Sequence, residues 1–167
     1  MTEKETSEVF SVMLLAYPNA ECFKGGKEKL LPTIKLWARC CADVDFWTAQ
    51  RAVYKLITEC KYPPTIAEFL EKANSVTAEI DSRANDIYHM IRSTVNLYGI
   101  EKAYDKMLDL ERTIVDRIGG IENVLTPDGK MYRYDAIIAE CKRIFRSEPA
   151  LPGGKRQKQI GASNDET

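Results

Sequence analysis

The sequence predicts an all-α protein. A small N-terminal four-helix unit is followed by a helical hairpin and a further helix, and then by a disordered C-terminal tail. Three observations carry this. Apolar residues recur at helical spacing in nearly every segment before residue 148. Helix-start signals stand in front of several of these stripes. Residues 148–167 hold two prolines and three glycines, with little apolar content beyond Leu151 and Ile160. Such a segment cannot bury enough surface to offset chain entropy. The expected divisions are 1–77, 78–147 and 148–167.

The elements follow in order. Thr2-x-x-Glu5 has the spacing of a capping box, and the apolar run from Val9 ends at Tyr17-Pro18-Asn19. Leu30, Ile34, Trp37, Ala38 and Cys41 form the next stripe, with Pro32 suited to a first turn. Phe46, Ala49, Val53, Leu56, Ile57 and Cys60 form a third, capped by Asp43 or Asp45. Prolines cannot donate and push the preceding residue out of the α region, so Tyr62-Pro63-Pro64 is expected to be extended. Thr65 and Glu68 then make a second capping box, with Pro64 and Phe69 placed as a staple. Phe69, Leu70 and Ala73 continue that helix. Four short helices around Trp37 and Trp47 make a small core, marginal by itself.

Beyond residue 78, Ile80, Ala84, Ile87, Ile91, Val95 and Tyr98 form a long stripe, and Gly99 suits a C-terminal cap. The apolar residues from Ile100 to Ile118 predict one further helix, stopped by Gly119-Gly120 and antiparallel to the first. Pro127-Asp128-Gly129 signals a turn. Tyr134, Ile137, Ile138, Cys141, Ile144 and Phe145 predict the last helix.

Composition narrows the function. The formal net charge of -1 argues against a dedicated nucleic-acid coat. No apolar run approaches the roughly 20 residues that span a bilayer, and Met1-Thr2-Glu3-Lys4-Glu5 is too acidic for a signal peptide. Cysteines 22, 40, 41, 60 and 141 include no Cys-x-x-Cys, and His89 is the single histidine. The cysteines read as small apolar residues in a reducing cytoplasm. No metal or cofactor is expected.

Catalytic patterns are poorly supported. Gly25-Gly26-Lys27 is followed by Glu28, and Gly153-Gly154-Lys155 by Arg156. Neither has the upstream glycine or the hydroxyl residue that a phosphate-cradling loop requires. Asp105, Asp109 and Glu111, interspersed with Lys106 and Arg112, read as a solvated helix face. The expectation is a non-enzyme.

Two nucleic-acid readings arise. Residues 65–84 resemble a helix-turn-helix with its turn at Asn74-Ser75-Val76-Thr77. The second helix would open with Glu79 and Asp81 against Arg83, a poor start for meeting phosphates. From Lys130 to Ile160, eight cations stand against three acids. Without interleaved aromatics the stacking part of single-strand binding is missing. At most weak nucleic-acid binding is expected, and a protein partner fits this basic segment better.

One resemblance adds to this reading. In order, the chain shows a helix ending in Tyr17-Pro18, a helix carrying Trp37, the acidic turn Asp43-Val44-Asp45, and a helix closed by Tyr62-Pro63-Pro64-Thr65-Ile66-Ala67. This order resembles the N-terminal domain of the helicase loader/inhibitor proteins of Gram-positive phages, over residues 6–72. It departs at 20–31, where Gly25-Gly26-Lys27 lengthens a connection. The resemblance implies a partner, a replicative DnaB-type helicase hexamer, held inactive and delivered to the phage origin through an origin-bound initiator. It implies a bacterial host cytoplasm. Residues 1–77 would be the platform. Leu151, Lys155, Arg156, Lys158 and Ile160 would contact the helicase. Tyr62, Pro63, Pro64, Thr65, Glu68, Phe69, Trp37 and Trp47 would be structural. The rival readings are a DNA-binding replisome organiser and a helical phage interaction protein unrelated to replication.

Overall fold

The computed structural model describes residues 1–147. The expected disordered tail, with Leu151, Lys155, Arg156, Lys158 and Ile160, lies outside the described residues. The described chain is helical, with one isolated antiparallel bridge, Leu125 to Tyr132, and no sheet.

Helix α1 spans Glu3–Ala16. Its Thr2 cap is reciprocal: the Glu5 carboxylate accepts from the Thr2 N–H at 2.7 Å, and the Thr2 hydroxyl accepts from the Glu5 N–H. Helix α2 spans Gly26–Cys40, so it starts well before Pro32 and not at it. Gly25 (φ 123°) and Gly26 (φ 75°) turn the chain through conformations that other residues rarely adopt, so the helix can begin there. Pro32 thus sits inside α2. Its missing N–H leaves the Glu28 carbonyl without a helical donor, but both residues are exposed and water can serve it.

Helix α3 spans Phe46–Glu59 and is capped by Asp45, not Asp43. The Asp45 carboxylate accepts from the Thr48 N–H at 3.1 Å and from its hydroxyl at 2.7 Å. The first core gathers Val9, Phe10, Met13, Phe23, Trp37, Val53, Leu56 and Phe69. Its centre is aromatic. Trp37 meets Phe10 at 5.2 Å and Phe69 at 5.3 Å, and Phe10 meets Phe23 edge-on at 6.1 Å.

Helix α4, Ile66–Tyr98, is 33 residues long. At 1.5 Å per residue it spans about 50 Å. It lends Phe69 and Ala73 to the first core, and Val76, Ile80, Ala84, Ile91 and Val95 to a second. This corrects the helix-turn-helix reading. Asn74, Ser75, Val76 and Thr77 form no turn, because Ala73 and Val76 keep the apolar stripe in phase across the segment and each is buried.

The predicted single helix from Ile100 to Ile118 is two helices. Helix α5 spans Ile100–Lys106 and α6 spans Asp109–Arg117, with extended backbone at Met107 and Leu108. Side chains satisfy the ends at this break. Arg112 donates to the Tyr104 carbonyl at 3.1 Å and to the Asp105 carbonyl at 3.0 Å, while Glu111 accepts from the Leu108 N–H at 3.0 Å. Met107 gains burial inside the second core.

A turn at Gly129 (φ 70°) leads into helix α7, Tyr134–Ser147. It runs antiparallel to α4. Tyr134 donates to the Asn85 side chain at 2.8 Å near one end, and Lys142 pairs with Asp81 at 2.7 Å near the other.

Trp47 does not join the first core. It packs against the second, under the Arg51 guanidinium at 4.3 Å. The reason is its place on the first turn of α3, on the side that faces the second core. There, Lys55 pairs with Glu79 at 2.6 Å and Arg146 approaches Asp45 at 3.7 Å. These contacts make a seam between the two cores.

Candidate interaction surfaces

The segment Tyr62-Pro63-Pro64-Thr65 divides into an inner and an outer part. Thr65 caps α4: the Glu68 carboxylate accepts from the Thr65 N–H at 2.7 Å, and the Thr65 hydroxyl accepts from the Glu68 N–H. The Thr65 N–H and then its hydroxyl hold the Glu68 carboxyl below the ordinary glutamate range. Pro64 and Phe69 are buried. Tyr62 is 70% exposed, with the Lys61 ammonium 5.8 Å from its ring centre. So Pro64, Thr65, Glu68 and Phe69 build the fold, and Tyr62 faces outward.

The basic bias of the last helix is largely neutralised where the structure describes it. Lys142 meets Asp81, Arg146 approaches Asp45, and Arg143 and Arg117 both hold Glu140 at 2.8 and 3.1 Å. Arg143 lowers the Glu140 carboxyl most, burial opposes it, and Arg117 adds to the lowering. These arginines and lysines join helices before they can meet a partner.

A groove of about 380 Å³ lies between α4 and the α5–α6 break. His89, Met90, Ser93, Thr94, Lys106, Leu108 and Glu111 line it. The sequence places Glu111 on a solvated face, but it is only 2% exposed. The signal in the sequence is its spacing: three residues after Leu108 it can turn back to an orphan N–H at a helix start. That signal is readable only once the break is known.

Little here suggests covalent chemistry. Among the described residues no three His, Cys, Asp or Glu side chains gather to hold a metal ion. His89 lies edge-on to Tyr88 at 5.4 Å. Burial pushes the thiols of Cys41 and Cys141 up to about 11, which keeps them protonated. Cys22 and Cys40 are exposed, unlike the apolar fill expected of all five. Among the described residues no helix is long and apolar enough to cross a membrane.

The fold and its surfaces define a class: a helical module with an aromatic core, a capped Pro-Pro-Thr entry to a long helix, and outward-facing apolar side chains. Residues 1–70 match the family model for the N-terminal domain of a phage helicase loader/inhibitor, and this stretch belongs to that family. The resemblance read from Tyr17-Pro18, Trp37 and Tyr62-Pro63-Pro64-Thr65 is thereby shown. No curated protein matches the chain, and no solved structure does.

Proposed function

We propose that the chain is an adaptor of phage DNA replication. It binds the replicative hexameric helicase, restrains it, and delivers it to the origin through an origin-bound initiator, in the cytoplasm of the bacterial host. The observation that carries this reading is the family match over residues 1–70. The chain's own chemistry agrees with it: neither glycine pair has the pattern of a phosphate-cradling loop. The adaptor therefore has no ATPase activity of its own. Its contact segment is the tail. Leu151 and Ile160 serve as apolar anchors, and Lys155, Arg156 and Lys158 meet an acidic surface. A segment that orders on binding gives up affinity for ease of release, which suits a loader.

The test is a pull-down of full-length protein with the replicative helicase of phage or host, with and without ATP, beside an ATPase assay of the protein alone. Specific retention of the helicase and no hydrolysis by the isolated chain are expected. No retention of either helicase would overturn the reading.

A further inference from the structure

Glu111 is buried without a full set of partners. Among the described residues its one hydrogen-bond partner is the Leu108 N–H at 3.0 Å. A carboxylate taken out of water keeps its charge at low cost only with several donors or with a cation beside it. Lys106 lines the same groove but does not supply that cation. Its ammonium sits 5.9 Å from the Tyr98 ring centre and, among the described residues, makes no ion pair with Glu111.

The walls of the groove are apolar and open. Met90 is 40% exposed and Leu108 is 54% exposed. Leu97, seven residues after Met90 and so on the same face of α4, is 72% exposed. An apolar row with an acid at its base is complementary to an amphipathic helix that carries a lysine or arginine between apolar side chains. We propose that this groove is a second docking site for the helicase. It receives such a helix, whose cation completes the coordination of Glu111 while its apolar side chains cover Met90, Leu97 and Leu108. This inference rests on the function proposed above.

The test uses the full chain, titrated against labelled helicase hexamer. Three variants probe the groove: Leu97→Asp, Leu108→Asp and Glu111→Gln. Leu15→Asp, at an 84% exposed position of α1, is the control. Circular dichroism checks that each variant keeps the helical content of the parent. The exposed positions of Leu97 and Leu108 keep the test informative if Glu111→Gln disturbs the α5–α6 break. The three groove variants are expected to bind about tenfold more weakly or worse, and Leu15→Asp to bind like the parent. If the parent binds helicase and Leu97→Asp and Leu108→Asp bind as well, the groove is overturned and the function stands. If Glu111→Gln alone binds like the parent, the basic residue in the occupant is overturned. If Leu15→Asp loses as much as the groove variants, the placement of the site is overturned. If the parent binds no helicase, both proposals fall.

Discussion

The Tyr17 hydroxyl donates to the Cys60 carbonyl at 3.1 Å, which ties the end of α1 to the end of α3. Cys60 is the residue where α3 stops before the extended Tyr62-Pro63-Pro64 segment. Burial raises the Tyr17 hydroxyl above its ordinary value, so it stays a donor at neutral pH. Tyr17→Phe keeps the ring and removes the bond. It should lower stability by about 1 kcal/mol, read as a shift in the urea midpoint at constant slope. An unchanged midpoint would mean that packing alone orders this corner.

The Thr65 cap should be worth about 1 kcal/mol, as caps of this type usually are, so Thr65→Ala should show that loss in chemical denaturation. The cap also predicts a pH dependence. The folded carboxyls of Glu5 and Glu68 are lowered, first by the backbone N–H of Thr2 and Thr65 and then by their hydroxyls. Burial raises the Asp45 carboxyl, but the Thr48 hydroxyl and N–H and the Arg146 charge outweigh it, so its net shift is also downward. A lowered folded value means that the stabilisation is complete above the unfolded values of 3.8 to 4.5 and disappears as pH falls through the folded values. Melting temperature should therefore be flat near neutrality and fall below about pH 4.5. Glu68→Gln should make that fall shallower.

Continuity of α4 can be tested at the place where the sequence suggests a turn. Ser75 is exposed and lies in the helix interior. Ser75→Pro removes a ladder hydrogen bond and crowds the preceding turn, at a cost of about 3 kcal/mol or more. A turn at Asn74–Thr77 would accept proline with little change. Thermal unfolding followed by far-ultraviolet circular dichroism separates the two.

The tail carries the riskiest prediction. Truncation after Ser147 should leave the helical signal of residues 1–147 intact and weaken helicase binding severely. Reversing Lys155, Arg156 and Lys158 to glutamate together should slow association and reduce its dependence on low salt, as expected for a steering surface. Stopped-flow mixing with labelled helicase at two ionic strengths measures both. A truncated protein that binds as tightly as the full chain would place the contact wholly on the helices.

Local chemistry sufficed for much of this fold. The capping boxes Thr2–Glu5 and Thr65–Glu68 are closed within a single helical turn by groups that meet whatever the rest of the chain does. The stripes through Phe10, Trp37, Val53, Ile91 and Phe145 show their buried faces because helical spacing alone sets which side chains align. The family resemblance was legible for the same reason: it rests on short local motifs that end and begin helices.

Distant contacts decided the rest. Trp47 looks like a member of the first core because it lies close to Trp37 in sequence, but the second core, built from residues far down the chain, is what covers it. The break at Met107 and Leu108 is hidden in an apolar stripe that reads as continuous. It exists because Arg112 and Glu111 reach back to backbone groups that a straight helix would have paired internally. The same backward reach buries Glu111 beside the groove. A charge on a helix face can be counted from sequence, but whether it meets water or protein depends on which element folds over it.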